Sequence, residues 1–167
     1  MGTFAGYYGE MSIPEKKRPE FAERMPKLFT QGGMMNLDSV KVMDVEVELL
    51  CLPKIDEKGN IVATYNYFED DWWEGAGYNT ETGRMWSNKI GWRHFNRVTQ
   101  AAYVLAEFYS DAFMVAEVDG RVTYAGEILA WLNHLFEERY TNVRSKSLWK
   151  IYKLLPDYMR DHGCLSR

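Results

Sequence analysis

Four carboxylates lie within six residues near the middle of this chain of 167 residues: Glu69, Asp70, Asp71 and Glu74. Closely spaced carboxylate oxygens suit a hard divalent cation such as calcium or magnesium. An EF-hand calcium loop, however, needs oxygen ligands at alternating positions and glycine at the sixth, and here Trp72 and Trp73 interrupt the series. The spacing therefore argues against a metal site, and we predict neither a metal nor another cofactor.

The same carboxylates could serve as the acid and base of a hydrolase, because glycoside cleavage uses two carboxyl groups beside aromatic rings. That mechanism depends on the distance between the two groups in space, which a sequence does not give. His94 adjoins this stretch and is the best general-base candidate in the chain. The alternative function is therefore a small enzyme with a cleft beside residues 65–94, in which the acid-base candidates are Glu69, Asp70, Asp71 and His94.

Residues 65–92, called the aromatic segment below, hold four of the six tryptophans, five carboxylates and four glycines. Such a segment suits either a loop folded over the core or a surface that holds a partner. Tryptophan and tyrosine give a large contact area at modest entropic cost, and carboxylates steer association with a basic protein. The predicted contact residues are Asp70, Asp71, Trp72, Trp73, Glu74 and Trp86.

The sequence contains no motif that identifies a reaction. No histidine belongs to an HExxH pattern, and Gly75-Ala76-Gly77 lacks the third glycine and the lysine of a phosphate-binding loop. We therefore predict a protein-binding module, such as an inhibitor, an immunity-type protein or an adaptor, whose partner presents a basic surface.

The formal net charge of −4 combines an acidic body with a basic C-terminal part. Residues 1–138 carry 13 Lys and Arg against 22 Asp and Glu, whereas residues 139–167 carry 7 against 2. Lys146, Lys150 and Lys153 share one face of a predicted helix, a stripe that can contact phosphates nonspecifically. Because the chain is acidic and has no nucleic-acid-binding motif, we expect a solvated stripe, or one that faces acidic surface, and no nucleic-acid partner.

Length and composition predict a single globular domain over residues 1–167. The two cysteines do not form a CxxC pair, which favours a reducing compartment. No stretch approaches the ~20 apolar residues that a membrane helix needs. We predict a soluble, cytoplasmic protein without membrane association, and the sequence leaves its oligomeric state open.

The elements that must position these residues begin with a short strand in residues 3–11. Ser12 and Glu15 then form a capping box, which predicts the start of a helix. Gly32 and Gly33 predict its end. Four apolar residues recur at helical spacing between these points: Phe21, Met25, Leu28 and Phe29.

Two hairpins are predicted further along the chain. Residues 37–52 alternate like a strand, with a bend at Asp44. The sequence Glu-Lys-Gly-Asn at residues 57–60 predicts a turn before a strand over residues 61–68. Asp119 and Gly120 predict a second turn, between residues 114–118 and 121–123.

Three helices follow the aromatic segment in this interpretation. Their apolar positions step by three and four, as a buried helical face requires. The first uses Phe95, Val98, Ala102, Leu105 and Tyr109, the second Ile128, Trp131, Leu132, Leu135 and Phe136, and the third Leu148, Ile151, Tyr152 and Leu155. The predicted fold is α+β, with a small antiparallel sheet, three to four helices packed on it and a helical C-terminal half.

Arg93 and Arg97 lie at the start of the first of these helices, where positive charge opposes the helix dipole. The nearest carboxylates in the sequence are those of residues 69–74. We therefore predict ion pairs between the aromatic segment and the start of this helix.

Overall fold

The computed structural model describes residues 3–35, 37–43, 45–50, 53–64, 75–90, 94–123, 125–138 and 140. A 3₁₀ turn at Glu15–Lys17 precedes the first α-helix. The strands and α-helices within these ranges are β1 Thr3–Gly9, α1 Arg18–Met35, β2 Leu37–Val42, β3 Val45–Leu50, β4 Lys54–Ile55, β5 Ile61–Thr64, β6 Gly75–Asn79, β7 Arg84–Ser87, β8 Lys89–Ile90, α2 His94–Tyr109, β9 Met114–Val118, β10 Arg121–Val122 and α3 Ala125–Phe136.

The architecture is α+β, as the sequence predicted. Its strands pair antiparallel throughout the described ranges. Sheet A has the order β10-β9-β1-β8, sheet B has the order β4-β5-β6-β7, and β2 pairs with β3 in a two-stranded sheet. The single small sheet of the prediction is therefore incomplete, because β6, β7 and β8 lie where no strand was predicted.

One stretch of chain, residues 84–90, joins the two four-stranded sheets. Its first part, β7, pairs with β6, and the backbone N–H of Asn88 extends this ladder by donating to the Gly75 carbonyl oxygen at 2.8 Å. Its last part, β8, pairs with β1. Between them, the Ser87 hydroxyl donates to the Ala5 carbonyl oxygen at 2.6 Å. The chain thus passes from sheet B to sheet A at a hydrogen-bonded crossing.

Helix α1 starts differently from the prediction. Pro14 precedes the 3₁₀ turn, and no side chain of the described residues caps that turn. A Ser12 cap would accept from the N–H of residue 14 or 15, and Pro14 has no N–H to give. The backbone of Ser12 bonds to another part of the chain: its N–H donates to Ser110 Oγ at 3.1 Å, and its carbonyl oxygen accepts from the Asp111 N–H at 2.9 Å.

The body of α1 follows the prediction, whereas its end does not. The helix continues through Gly32 and Gly33 to Met35, although each glycine in a helix costs about 1 kcal/mol relative to alanine. One face packs into the core, where the Phe21 ring meets the Tyr78 ring of sheet B edge-on at 5.3 Å. The predicted core residues are all fully buried, namely Phe21, Met25, Leu28 and Phe29.

Helix α2 packs against α1, α3, β1 and β9. The predicted apolar face is confirmed, because Val98, Ala102, Leu105 and Tyr109 are buried; the side chain of Phe95 lies outside the described atoms. A polar side of the same helix is buried as well, which the sequence analysis did not predict. It consists of Asn96, Thr99, Tyr103 and Glu107.

Both predicted hairpin turns are present. Asp119 and Gly120 have φ values of 50° and 73° and connect β9 to β10. Gly59 has a φ of 79° in the turn between β4 and β5. The predicted strand over residues 37–52 contains two antiparallel strands, β2 and β3, and Met43 at the end of β2 has a φ of 49°. Asp44, the predicted bend, lies outside the described residues.

The C-terminal half is mixed rather than helical in the part that the structure describes. Helix α3 is confirmed, with Ile128, Leu129 and Leu132 buried. However, β9 and β10 lie between α2 and α3. The predicted helix around Leu148 lies outside the described residues. Within the described ranges, no helix has the length and apolar character that crossing a bilayer requires.

Glu107 connects α2 to strand β9 of sheet A, next to the short edge strand β10. Its carboxylate, 3% exposed, accepts from the backbone N–H of Ala116 on β9 at 3.0 Å. The short strand β10 pairs with residues 117 and 118 only. Glu107 therefore satisfies a backbone donor just beyond the end of that pairing.

This contact makes Glu107→Leu a destabilising change. It leaves a buried N–H without its acceptor, which we expect to lower the free energy of unfolding by about 1–3 kcal/mol. Glu107→Gln keeps a carbonyl oxygen for Ala116 and should lose less. Urea unfolding of both variants measures the difference; equal stability of the two would contradict this role of Glu107.

Candidate functional site

Trp86 is the one predicted contact residue that the structure describes. The other five, Asp70, Asp71, Trp72, Trp73 and Glu74, lie outside the described residues, as do Glu69, Arg93 and the lysine stripe of Lys146, Lys150 and Lys153. His94 is the first residue of α2, and its side chain is not described. Their predicted roles stay predictions.

The described part of the aromatic segment is sheet rather than loop. Residues 75–90 form β6, β7 and β8. Gly75, Ala76 and Gly77, which resemble a fragment of a glycine-rich loop in the sequence, are buried positions of β6. Trp86 is consequently held on a strand with a defined neighbour on β6.

That neighbour is Gly77, directly opposite Trp86 in the antiparallel register. A methyl group at position 77 would lie 2.6 Å from both Nε1 and Cε2 of the Trp86 indole. It would also lie 2.1 Å from the Ile61 carbonyl oxygen, which belongs to the backbone and has little freedom to move. Only glycine therefore lets the indole lie against β6.

A row of four residues crosses sheet B at this level: Lys54, Val62, Gly77 and Trp86 are successive register partners. Residues directly opposite each other in antiparallel strands point to the same face. The other face is buried in the core through Ile61, Ala63, Ala76, Tyr78 and Met85. The row therefore lies on the outward face, where Trp86 and Val62 are half-buried and Lys54 is exposed.

Arg84 lies two residues before Trp86 on β7, so it shares this outward face. It is exposed, and its register partner is Asn79. We call the surface made by Lys54, Val62, Gly77, Arg84 and Trp86 the Trp86 face. It combines an apolar centre with a cation at each end.

Two turns brace one end of sheet B. The Asp56 carboxylate accepts from the backbone N–H groups of Lys58 and Asn60 and from the Asn60 side-chain amide. The hydrogen bonds from Asn60 hold the pKa of Asp56 below its usual range. Asn60 Oδ1 in turn accepts from the N–H and hydroxyl of Thr80 in the neighbouring turn, both at 2.9 Å. The two hairpins are thereby fastened together.

A second polar feature surrounds Arg24 of α1. The guanidinium carbon lies 5.8, 5.1 and 5.7 Å from the ring centroids of Tyr109, Phe136 and Tyr140. Its Nη2 lies 2.7 Å from a Glu20 oxygen and is also hydrogen-bonded to Glu138. We call these six residues the Arg24 cluster. Because a guanidinium is attracted to aromatic faces, the rings hold the charge where water is largely excluded.

The Arg24 cluster shifts the ionisation of its members. Burial alone would lower the pKa of Arg24, but the Glu138 hydrogen bond and nearby charges outweigh it and raise that pKa. The same hydrogen bond lowers the pKa of Glu138. Burial, together with the hydrogen bond that it donates to Glu20 at 2.6 Å, raises the pKa of Tyr109. The shifts of Arg24 and Glu138 favour the charged states whose ion pair connects α1 to the chain after α3. The shift of Tyr109 favours the protonated hydroxyl that connects α2 to Glu20 of α1.

In the described part of the chain, no three His, Cys, Asp or Glu side chains lie close enough together to hold a metal ion.

The described ion pair of Arg97 is with Glu127, at 3.7 Å between exposed side chains. The predicted pairing of Arg93 and Arg97 with residues 69–74 falls outside the described residues.

Sequence reasoning missed the partners of Trp86 and the whole Arg24 cluster. Alternation along residues 61–68 does put Val62 on the opposite side from Ile61, but nothing local indicates that Gly77 faces both Val62 and Trp86. Glu20 and Arg24 are four apart on one helix, a detectable signal. Glu138 is 114 positions from Arg24, and no local pattern connects them.

The chain was compared with family models, curated proteins and solved structures, and none of the three comparisons found a match. The chemistry of the Trp86 face and of the Arg24 cluster is therefore inferred from their own residues.

Gly77→Ala tests the packing of Trp86. Because a methyl group meets both backbone and indole, we expect a loss of about 1–3 kcal/mol in the free energy of unfolding. Gly6→Ala on β1 is the matched control, since its nearest heavy atom outside the chain neighbours is 3.8 Å away. That variant should change stability by no more than about 0.5 kcal/mol. Thermal or urea unfolding distinguishes them, and equal effects would refute the packing.

The Arg24 cluster predicts a pH dependence. The folded-state pKa of Glu138 is lowered, so its contribution is present above the unfolded-state pKa and is lost as pH falls through the folded-state value. Its side chain is 41% exposed, which limits the contribution to about 0.5 kcal/mol. Glu138→Gln should be less stable than wild type at neutral pH, and the difference should disappear as pH falls below the folded-state pKa of Glu138. A difference that does not shrink on acidification would contradict the ion pair.

Proposed function

We propose that this chain is a cytoplasmic protein-binding module whose contact surface is the aromatic segment. The acidic residues predicted there, Asp70, Asp71 and Glu74, would meet a basic surface of the partner. The observation that carries the proposal is the position of Trp86, half-buried on the outward face of sheet B.

Several properties of Trp86 suit a contact residue. Tryptophan is enriched among the residues that contribute most to binding energy. Its indole packs against Gly77 on a braced sheet, so little side-chain freedom remains to be lost on association. Val62 beside it adds apolar area, and the exposed Lys54 and Arg84 form a polar border. An apolar centre with a polar rim is the usual anatomy of an interface.

The proposal is tested by affinity capture from the native host followed by titration of the purified partner. We expect one stoichiometric protein partner whose affinity falls at least about tenfold for Trp86→Ala, the loss typical of an important interface tryptophan. A second variant, Asp70→Ala/Asp71→Ala/Trp73→Ala, tests the acidic part of the segment. Each variant must first show an unfolding transition like that of wild type.

The matched control is Phe4→Ala. Phe4 is an aromatic residue on sheet A and is 58% exposed, so its truncation removes exposed aromatic surface away from sheet B. A partner retained equally by wild type, Trp86→Ala and Phe4→Ala would place the interface away from sheet B. Failure to capture any partner at near-physiological salt would remove the support for a binding module.

A further inference from the structure

The charges on the Trp86 face are opposite in sign to the net charge of residues 1–138. Lys54 and Arg84 are both exposed. Among the described residues neither forms an ion pair, whereas Arg24 and Arg97 both do. Residues 1–138 carry an excess of nine negative charges. Two cations that have no carboxylate partner among the described residues of such a chain can attract anionic groups.

The separation of these cations limits what can bind both. Lys54 and Trp86 are at opposite ends of a row that crosses four strands, and Arg84 is two residues along β7. With strands about 4.8 Å apart and about 3.3 Å per residue, the Cα atoms of Lys54 and Arg84 are about 16 Å apart. An extended chain covers that distance in about four to five residues.

The residues between the cations are apolar. Val62 and the Trp86 indole, which lies over Gly77, are between the two cations, and no charged residue belongs to the row except Lys54. In an extended segment, side chains at positions i, i+2 and i+4 point to the same side. A segment lying across the row would therefore place position i+2 on Val62 and Trp86 and positions i and i+4 near the two cations.

We propose that the Trp86 face binds an extended acidic segment of the protein partner, with the pattern acidic-x-apolar-x-acidic. The two carboxylates contact Lys54 and Arg84, and the apolar side chain packs on Val62 and Trp86. This inference rests on the proposed function and specifies what part of the partner meets sheet B. The same partner would present its basic surface to residues 70–74, so its interface carries both signs.

The braced turns determine where the segment crosses. Asp56, Glu57 and Glu81 are exposed at the turn end of sheet B. Arg84, the register partner of Asn79, lies at the same end, and Lys54 lies two residues before Asp56. Like charges repel, so an acidic segment is disfavoured beyond these two cations, over the turns, and favoured toward Val62 and Trp86. A segment that contacts both Lys54 and Arg84 crosses the strands obliquely and does not add a strand to the sheet edge.

The probe for this site is a synthetic peptide, acetyl-Glu-Ala-Leu-Ala-Glu-amide, titrated into ¹⁵N-labelled protein. We expect saturable chemical-shift changes of the backbone amide signals of Val62 and Gly77 and of the Trp86 indole N–H signal. The indole signal is assigned by its loss from the spectrum of Trp86→Phe. Binding should weaken as NaCl rises from about 50 mM to about 500 mM, because exposed charges are screened. Peptides with Gln or Lys in place of Glu serve as neutral and basic comparisons.

Lys54→Glu/Arg84→Glu should weaken peptide binding at least about tenfold. Lys16→Glu/Lys17→Glu is the matched control, because it makes the same change in net charge at exposed positions of the 3₁₀ turn. The control should bind the acidic peptide with no more than a small loss. Equal binding by the Lys or Gln peptide, or equal losses in both double variants, would overturn the acidic-segment inference.

The outcomes separate this inference from the proposed function. A natural partner that depends on Trp86 but is retained by Lys54→Glu/Arg84→Glu would leave the binding module standing and refute the acidic segment. An acidic peptide that binds the Trp86 face, with loss in the same double variant, supports the inference. A natural partner that binds independently of Trp86 refutes the inference, and it refutes the proposed function as well if the Asp70→Ala/Asp71→Ala/Trp73→Ala variant also retains it.

Discussion

The enclosure of α2 is the constraint on which the rest of the structure depends. A helix surrounded by other elements is ordinarily apolar on all sides, yet α2 carries a buried polar side. Buried polar groups must be hydrogen-bonded or they destabilise the fold. Their partners on the strands are Thr3 for Asn96, Ser87 for Tyr103 and the Ala116 N–H for Glu107. The bonds to Thr3 and Ala116 align sheet A on the helix, and the bond to Ser87 aligns β7 of sheet B, more specifically than apolar packing alone would.

The same constraint reaches the candidate site through one residue. Ser87 gives its only hydroxyl hydrogen to the Ala5 carbonyl, so the Tyr103 hydroxyl, 3.0 Å away, must donate to Ser87. Ser87 and Trp86 are adjacent on β7 and point to opposite faces of the sheet. Anchoring Ser87 between α2 and β1 therefore fixes the outward direction of Trp86. A contact residue positioned in this way loses little freedom on binding.

Local patterns in the sequence predicted the elements whose signals are local. The apolar spacing of α2 and α3 and the Asp119-Gly120 turn are each contained within a few residues, and the structure confirms them. Strands β6 to β8 were missed because glycines and tryptophans replace the alternation that marks a strand. The Arg24 cluster and the Gly77–Trp86 packing depend on which strands and helices become neighbours. Periodicity carries no such information.

The net charge of a protein attracts or repels a partner at long range, whereas the nearest charged side chains act at short range. An acidic chain can therefore still present a local cationic surface to a partner. At physiological salt, charges are screened beyond about 8 Å, so the final approach of a partner depends on the charged residues nearest to it and not on the net charge of the chain. The acidic residues 69–74 and the cations of the Trp86 face belong to neighbouring parts of the chain with opposite signs. In the proposed complex, a partner of uniform charge would be attracted by one of these two sets of residues and repelled by the other. The proposed partner therefore carries both signs, a mixture that favours specificity over simple affinity.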